Sequence, residues 1–387
     1  METNATVLLL EAYLIQTQII AKTLHQAGYR VVSFCEEKYS YGFHSRYIDE
    51  KVHTIPCEGN QEEYFKLILE YIQSHPVCAI IPMSDESAKI IAEHKDELGK
   101  YTSVSCPEYE NFVKGYDKNE LMKVCKGMNV DHPLTIDLSE DYSLDDMLYP
   151  AIIKPNITSG GRGMSIVENK EELESIIPST IAQFGQCHVQ EFIPQGGRQI
   201  KVQMLINEKG DMVCYSVMQK TRWYPVKGGS SCCNISIDEP QLLADCYRVL
   251  TALEWRGFAD FDVIEDPRNG KLKIMEINPR VPACVKSAVV SGINWGEAIV
   301  NDILHLPQKH YEYTPGKTLR FLGFDMLWFL KSPDRFKAAP SWFQFFGNDV
   351  YYQDLDFSDL GSFIWGTFGN IKKLFSSDFR KSKAGLN

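Results

Sequence analysis

The chain has 387 residues, more than one hydrophobic core usually serves, so we expect two or three packed domains. With 44% hydrophobic and 24% charged residues and a mean hydropathy of −0.24, the composition excludes a disordered protein. The formal net charge of −11, without a clustered stripe of lysine and arginine, argues against a nucleic-acid-binding protein.

The first hundred residues alternate strand and helix patterns. An apolar run at 6–10 precedes a helical pattern from Ile15 to Ala27, which ends at Gly28, a residue favoured just after helices. The strand-like YRVVSF comes next, and CAIIPMS at 78–84 precedes the helical stretch DESAKIIAEHKDEL. This alternation predicts a parallel sheet covered by helices, which forms an N-terminal α/β domain over residues 1–110.

The pattern changes after this domain. Residues 116–129, YDKNELMKVCKGMN, predict a helix with Asp117 near its start, and VDHPLT ends that helix. Between 150 and 280, β-type runs are separated by turn residues, which predicts antiparallel sheets with a few helices. We place domains at 111–195 and 196–312, followed by an extension at 313–387 that is rich in Phe and Trp.

A glycine-rich loop, TSGGRG at 158–163, follows the apolar segment IIKP, which contains Lys154. The chain has no complete P-loop, and Ile166 stands where a dinucleotide-binding fingerprint needs a glycine. The backbone N–H groups of such a loop are suited to binding phosphates, and the Lys154 ammonium is near enough in sequence to reach the same phosphates. Taken alone, the loop is equally well explained as an ordinary glycine hairpin.

A β-hairpin is predicted over residues 257–280, because the Asn-Gly pair at 269–270 is a strong turn signal. The two-residue period of a strand puts Asp260 and Asp262 on one face, and Glu276 and Asn278 on one face of the second strand. The opposite face is expected to carry Phe261, Val263, Met275 and Ile277. Asp262 then lies roughly opposite Glu276, and no lysine is expected between these side chains.

Carboxylates this close destabilise one another unless a cation lies among them, and Mg²⁺ is commonly held by one or two carboxylates plus substrate phosphates. A solvated acidic strand face is the alternative. Arg280 lies on the same face as Asn278 and has the chemistry to neutralise a phosphoryl group or to hold a carboxylate, although a surface arginine has the same signature. Lysine, glycine loop and metal-type carboxylates together are typical of ATP phosphoryl transfer.

These residues resemble the ATP-grasp superfamily, in particular its carboxylate-amine ligases of the carbamoyl-phosphate-synthetase and D-aspartate-ligase type. The resemblance runs from about residue 5 to about residue 305. It implies an ATP-grasp fold, α/β and α+β, in which a parallel N-terminal domain precedes two α+β subdomains that clasp ATP. It also implies that Lys118 of GYDK and Lys154 of IIKP contact the ATP phosphates.

The resemblance assigns two further segments to ATP. SGGRGM corresponds to the flexible flap over the triphosphate, which implies ATP contacts for Ser159, Gly160, Gly161, Arg162 and Gly163. VQEFI is similar to the hinge that receives adenine, which implies a base pocket lined by Glu191, Phe192 and Ile193. The acidic residue with which the family usually holds the ribose has no counterpart, because Arg198 and Gln199 stand in its place.

EINPR resembles the metal signature of the family. Glu276 and Asn278, with Asp262 from the partner strand, are therefore the implied ligands of Mg²⁺, with Mn²⁺ as an alternative. The implied chemistry transfers the γ-phosphoryl group of ATP to a small carboxylate, for example an amino acid, and an amine then displaces phosphate from the acyl phosphate. The catalytic residues implied for these steps are Arg280 and Lys154.

A third candidate, Arg222, lies in the segment QKTRWYPVKGGSS at 219–231, close in sequence order to where this family binds its acceptor. We expect it to hold the substrate carboxylate, and a structural salt bridge is the alternative. Two other functions remain open at this point. One is a phosphotransferase with the same ATP site, and the other is an ATP-binding module without turnover.

The aromatic extension raises a separate hypothesis. Ile364, Phe368, Ile371 and Phe375 fall at helical spacing on one side, and basic residues cluster after them. This pattern predicts a weak contact with an anionic membrane surface. The alternatives are a helix packed on the protein's own surface, or one packed on a second subunit in a homodimer.

The cysteines and the N-terminus bear on localisation. Eleven cysteines are scattered without a C-x-x-C motif, which predicts free thiols rather than disulfides or a zinc site. No basic segment precedes the short apolar run TVLLLEA, and no apolar segment reaches the length of a membrane span. The sequence therefore predicts a cytoplasmic protein.

Overall fold

The computed structural model describes residues 5–157, 163–226 and 229–374. Within these ranges the strands form three sheets, of four, seven and four strands. The N-terminal sheet is parallel, and the other two are antiparallel apart from one edge pair. This mixture confirms the predicted combination of α/β and α+β architecture. All eleven cysteines are free, as predicted.

The N-terminal sheet is built from short, buried strands alternating with helices, which is the arrangement that parallel strands require. Its elements are β1 (Thr6–Leu10), α1 (Gln16–Gln26), β2 (Arg30–Cys35), β3 (Glu50–His53), α2 (Gln61–Ser74), β4 (Ala79–Pro82), α3 (Asp85–Glu93) and α4 (Lys95–Leu98). The strand order is β3-β2-β1-β4, and all five residues of the central β1 are buried. Loops that follow β1, β2 and β4 therefore meet at one edge of the sheet.

Two helices, α5 (Tyr109–Tyr116) and α6 (Lys118–Gly127), lead out of this domain. The side chain of Asp117 caps α6 by accepting hydrogen bonds from the backbone N–H groups of Asn119 and Glu120, at 2.8 and 3.1 Å. The predicted start of this helix is thereby confirmed. The cap places Lys118 in the first turn of α6, where its backbone N–H donates to the carbonyl of Asn156 at 3.2 Å.

The second sheet has four antiparallel strands in the order β5-β8-β6-β7, covered by one helix. Its elements are β5 (Thr135–Asp137), β6 (Ala151–Pro155), β7 (Ser165–Val167), α7 (Lys170–Phe184) and β8 (Cys187–Glu191). Strand β6, which carries Lys154, lies between two neighbours and is buried along its whole length. The sheet therefore presents Lys154 from a rigid element.

The third sheet has seven strands in the order β13-β12-β9-β10-β11-β14-β15. Its elements and flanking helices are β9 (Gln199–Ile206), β10 (Met212–Tyr224), β11 (Ser230–Ser236), α8 (Pro240–Ala252), β12 (Gly257–Glu265), β13 (Leu272–Asn278), α9 (Lys286–Val290), α10 (Trp295–Ile303), β14 (Thr318–Arg320), α11 (Leu322–Lys331), β15 (Val350–Tyr352) and α12 (Leu360–Leu374). Strands β14 and β15 come from the aromatic extension, which thus shares a sheet with residues 199–278.

The predicted hairpin is formed by β12 and β13, and its register pairs Asp262 with Glu276 and Asp260 with Asn278. That part of the prediction is confirmed. A β-bulge follows Asp262, so that Val263 pairs with Ile274. The expected core position of Met275 is therefore wrong: Ile274 joins the core instead, and Met275 lines a cavity.

Helix α12 packs on the protein's own surface, against the loop that follows β2. Gly366 and Gly369 allow this contact, because a Cβ atom would lie 2.4 Å from the ring of Tyr41 at the first position and 2.0 Å from the carbonyl oxygen of Tyr39 at the second. The Asn370 side chain also donates to the Tyr41 hydroxyl at 3.1 Å. This is one of the two alternatives to membrane contact that the sequence left open.

The opposite side of α12 is apolar and solvent-exposed. Ile364, Phe368 and Ile371 are 57%, 49% and 48% exposed, whereas Phe375 lies outside the described residues. Among the helices of the described chain, none combines the length and the apolar character that a membrane-spanning helix needs.

Candidate active site

Six of the fifteen predicted site residues line one cavity between the second and third sheets. The cavity has a volume of about 500 Å³. Lys118 reaches it from α6 and Lys154 from β6, while the neighbouring strands β12 and β13 contribute carboxylate and amide side chains and the chain after β13 contributes the arginine. The predicted residues that line it are Lys118, Lys154, Asp262, Glu276, Asn278 and Arg280. Elements from three parts of the chain therefore bring these side chains together.

Lys154 is almost completely buried, with 6% of its surface exposed. Its ammonium donates to the Gln190 side-chain oxygen at 2.7 Å and makes no ion pair with a described carboxylate. Burial, reinforced by the nearby charge of Lys118, lowers the pKa of Lys154 to about 8. Such a cation is poorly compensated by the protein itself, so an anionic ligand would relieve it.

Lys118 lies in the first turn of α6 and lines the same cavity as Lys154. Its ammonium is 3.4 Å from a carboxylate oxygen of Glu276, a longer contact than the other ion pairs of the site. Lysine and carboxylate are both partly accessible to the cavity, at 12% and 34% of their side-chain surfaces. The pair is therefore placed where a phosphate and a metal ion could separate it.

Asp260 and Asp262 form ion pairs with lysines from neighbouring strands, contrary to the expectation from the hairpin alone. Lys201 on β9 lies 2.6 Å from Asp260 and 2.8 Å from Asp262, and Lys220 on β10 lies 2.9 Å from the other oxygen of Asp262. The cause is strand order, because β9 pairs with β12 and sets Lys201 directly beside Asp262. The sequence did not predict that either lysine pairs with these aspartates, although a lysine within the apolar run QIKVQMLI of β9 is a signal that a buried partner exists.

Burial and these lysines together set the protonation of the two aspartates. Burial alone would raise the pKa of Asp262, but Lys201 and Lys220 outweigh it and hold that pKa far below its ordinary value. Burial dominates at Asp260 and raises its pKa to about 6, despite Lys201. Asp262 is therefore an ionised carboxylate at neutral pH.

The donor set fits a hard divalent cation. Asp262, Glu276 and Asn278 offer two carboxylates and an amide on adjacent strands, and the buried Oδ1 of Asp260 has no hydrogen-bond partner among the described residues. The described chain contains no group of three or more His, Cys, Asp or Glu side chains arranged to enclose a metal. Two carboxylates and an amide suit Mg²⁺ or Mn²⁺ held jointly with phosphates better than a cation held by protein alone.

Arg280 lies two residues after the end of β13 and lines the cavity. Its Nε is 3.1 Å from Asp85, a residue of the N-terminal domain, and one Nη is 3.4 Å from the side-chain oxygen of Asn278. A guanidinium carries five N–H donors, so the group retains donors for an anion beyond these two contacts. Asp85 orients Arg280 across the boundary between two sheets.

Arg222 does not lie in this cavity. Only 1% of its surface is exposed, and its guanidinium donates to both oxygens of Asp325, at 2.6 and 3.0 Å. Arg320 binds the same carboxylate at 2.7 Å, and Trp328 lies beneath Arg222. The substrate role predicted for Arg222 is therefore replaced by the structural salt bridge that the sequence also allowed.

The hinge segment is placed beside the site, but its acidic side chain is occupied. The Glu191 carboxylate accepts from the backbone N–H of Leu134 at 2.9 Å and contacts Lys273 and Arg268. Glu191, Phe192 and Ile193 are absent from the described lining of the cavity. Adenine recognition by this segment remains a prediction, and it would fall to backbone groups, because the Glu191 side chain is engaged.

The glycine-rich loop falls mainly outside the described residues, which include neither Ser159, Gly160, Gly161 nor Arg162. Gly163, its last glycine, has a φ of +75°, a conformation that favours glycine. A Cβ at this position would lie 2.9 Å from Pro155 and 3.1 Å from the ring of Phe184. The next residue, Met164, lines the cavity, so the end of the loop is anchored beside Lys154.

Comparison with known proteins agrees with this geometry. Residues 122–306 match the family described as carbamoyl-phosphate synthase L chain, ATP binding domain. The chain is 25% identical over 248 residues to the D-aspartate ligase of Enterococcus faecium (strain Aus0004), a match that covers 58% of each chain. It is also 22% identical over 218 residues to the C-terminal section of the carbamoyl phosphate synthase large chain of Methanopyrus kandleri, covering 53% of this chain and 37% of that protein. The chain thus spans about half the length of the curated relatives it matches.

Solved structures show the same fold. A biotin carboxylase from Campylobacter jejuni superposes with a TM-score of 0.66 at 17% identity, covering 79% of this chain and 73% of that one. An L-amino acid ligase from Bacillus licheniformis gives a TM-score of 0.63 at 14% identity, covering 81% and 78%. At these identities the likeness concerns the fold alone.

Proposed function

We propose that this chain, which carries an ATP-grasp domain, is an ATP- and Mg²⁺-dependent ligase. It would activate a small carboxylate as an acyl phosphate and join it to an amine, releasing ADP and phosphate. The observation that carries this proposal is the meeting of Lys118, Lys154 and Arg280 with the oxygen ligands of β12 and β13 in one cavity of about 500 Å³. Phosphoryl transfer depends mainly on such positioning and charge neutralisation.

The nucleotide phosphates would lie between Lys118 and Lys154. Lys154 contacts no carboxylate of the described residues, so a phosphate oxygen would gain a buried ammonium as its partner. Asp262, Glu276 and Asn278 would hold Mg²⁺, or Mn²⁺, which supplies neutralisation of the β- and γ-phosphate charge when bound. Adenine would lie towards the hinge at 191–193.

The acid would enter at Arg280, which balances the charge of an incoming carboxylate and of the transferred phosphoryl group. A carboxylate oxygen forms a bond to the γ-phosphorus while the bond from that phosphorus to the bridging oxygen of ADP breaks. The amine nitrogen then bonds to the acyl carbon, the carbon–oxygen bond to phosphate breaks, and the nitrogen loses a proton to water. An acyl phosphate is hydrolysed if water enters, so we expect the glycine-rich loop to close over it.

All the residues named in this scheme come from one chain, so the chemistry does not require a second subunit. Contact of the C-terminal tail with an anionic membrane surface or with another subunit remains a proposal separate from catalysis. Its support is the exposed apolar side of α12.

The decisive experiment measures ADP and phosphate release from Mg·ATP with pools of carboxylic acids, each with and without a pool of amines. We expect release to depend on both pools and to be lost in Lys154→Met and Glu276→Gln. Lys337→Met, which changes a lysine with 83% of its side chain exposed, is the matched control and should keep full activity.

Other results would change the assignment. Release with an acid alone, accompanied by a stable phosphorylated product, would establish a phosphotransferase. Mg·ATP binding without release under any condition would indicate a binding module, and full turnover by Lys154→Met would remove the site itself from consideration.

A further inference from the structure

A second cavity adjoins the first at Arg280. Its volume is about 360 Å³, at the lower end of the range of small-molecule sites. The two cavities share the wall formed by Lys201, Lys220, Gly229 and Arg280. A molecule in the second cavity would therefore present one end to the position where the first cavity holds the proposed γ-phosphate.

The outer wall of this cavity comes from outside the part of the chain that matches the ATP-binding family, which ends at residue 306. Phe321, Phe324 and Gln353 line it from the extension, and Asn370 and Lys373 line it from α12. The four residues shared with the first cavity thus lie within the matched domain, and the C-terminal segment contributes five further lining residues beside those of the N-terminal domain.

The wall is fixed by specific contacts. The Gln353 side chain donates to the carbonyl of Ala283, in the segment that follows β13, at 2.7 Å. The side chain of Asn370 donates to the Tyr41 hydroxyl at 3.1 Å, which ties α12 to the N-terminal domain. The cavity is therefore largely preformed, which lowers the entropy cost of binding a ligand.

The charged side chains that line the second cavity are all positive. They are Lys201, Lys220, Arg280 and Lys373, and the described lining contains no aspartate or glutamate. The carboxylates that pair with two of these groups, Asp85 with Arg280 and Glu37 with Lys373, are not among the lining residues of the second cavity. The cavity is suited to an anion, whereas an ammonium group would find no carboxylate on its surface.

The remainder of the lining is largely apolar and aromatic. The rings of Phe321 and Phe324 lie 4.7 Å apart between centroids, and Pro282, Ala283 and Leu14 add aliphatic surface. Apolar surface of this kind favours a ligand whose body is aromatic or branched aliphatic. A short polar acid would leave these apolar side chains in contact with water.

We propose that the second cavity receives the acid substrate, and that this substrate is a carboxylic acid with an aromatic or branched apolar body and no free ammonium beside its carboxyl group. This inference rests on the proposed ligase function, which it makes specific. The carboxylate lies at the end shared with Arg280, the body lies against Phe321 and Phe324, and the segment after residue 313 selects it.

Equilibrium dialysis in the presence of Mg·ADP tests this without turnover. The probes are 3-phenylpropionate, N-acetylphenylalanine, phenylalanine and succinate. We expect the first two to bind at least tenfold more tightly than the last two, because only they combine an apolar body with an isolated negative charge. Binding of succinate or phenylalanine at equal or higher affinity would overturn the proposal.

Two variants of the same segment locate the binding. Phe324→Ala should weaken 3-phenylpropionate binding about tenfold while leaving the affinity for Mg·ADP unchanged. Phe343→Ala, whose side chain is 58% exposed and does not line the cavity, should change neither. Equal losses in both variants, or a loss of nucleotide affinity in Phe324→Ala alone, would refute the assignment.

The two proposals fail in different ways. Acid binding without amine-dependent ADP release would reject the ligase function and leave the cavity assignment standing. Amine-dependent ADP release that occurs only with small polar acids would reject the cavity assignment and leave the ligase function standing.

Discussion

Lys154 is expected to reduce the stability of the ligand-free protein, and Lys154→Met should therefore stabilise it. The ammonium is buried, its hydrogen-bond partner among the described residues is the neutral Gln190, and its pKa is lowered from 10.5 to about 8. Methionine has a similar length and needs no hydration, so it fills the same space without the desolvation cost. A residue that stabilises the fold would show the opposite effect.

The magnitude follows from the pKa. A lowering from 10.5 to about 8 corresponds to a cost on the order of 3 kcal/mol at pH 7, since one pKa unit is about 1.4 kcal/mol. Between pH 8 and 10.5 the unfolded chain retains a proton that the folded protein has lost, so wild-type stability rises with pH across this window. The advantage of the variant should thus shrink to about 1.4 kcal/mol at pH 9.5.

Urea titrations at pH 7 and pH 9.5, followed by circular dichroism, measure this difference in the free energy of unfolding. Lys273→Met is the matched control, because Lys273 is buried as well but contacts the Glu191 carboxylate and lies 3.1 Å from Asp266. Its removal leaves buried carboxylates with one cation fewer and should destabilise the protein by about 3 kcal/mol. Removal of Lys154 is therefore predicted to raise the free energy of unfolding, whereas removal of Lys273 is predicted to lower it.

A Lys154→Met variant no more stable than the wild type at pH 7 would refute the reasoning. So would a stability gain that stays constant between pH 7 and 9.5, because the gain would then come from packing and not from the charge. Loss of ATP affinity in the same variant is expected in either case and does not distinguish the two.

Asp325→Asn should destabilise the protein by about 3 to 5 kcal/mol, because two buried guanidinium groups lose their shared carboxylate; a similar effect of the exposed Asp334→Asn in urea titrations would contradict this. Glu276→Gln should weaken Mg·ATP binding, measured by calorimetry, about tenfold or more, while the melting temperature of the ligand-free protein stays unchanged, since this carboxylate is one-third exposed. Gly366→Leu should detach α12 from the tyrosine ring beneath it and expose the helix to limited proteolysis, whereas Ile371→Ala on its exposed side should leave it protected.

The part of the site that lies within one hairpin could be predicted from the sequence. Alternation and an Asn-Gly turn are enough to place Asp262 opposite Glu276, because both strands and their connection are contiguous in the chain. The error at Met275 has an equally local cause. Met275 is the extra residue of the bulge, so on β13 the residues before it switch faces relative to the predicted alternation. No residue type in that stretch predicts a bulge.

The lysines that neutralise the hairpin could not be predicted in this way. Lys201 contacts Asp262 because β9 inserts next to β12 in the sheet, and strand order is a property of the whole chain. Alternation along a strand predicts which face of the sheet each side chain lies on. It does not predict which strand lies next to it. The expectation of uncompensated carboxylates was therefore wrong, even though their positions were right.

The two arginines show the same division between local pattern and distant partner. Arg222 and Arg280 both occur near a strand end beside glycine, proline or lysine residues, and both are candidates for holding a carboxylate. Their roles are separated by partners far away in sequence. Both carboxylate oxygens of Asp325 accept hydrogen bonds from Arg222, which is only 1% exposed. Arg280 has its Nε 3.1 Å from Asp85 and lines two cavities. An arginine is available to a substrate only where some of its guanidinium N–H groups are left without a protein acceptor. Tertiary contacts decide this, and the local sequence motif does not.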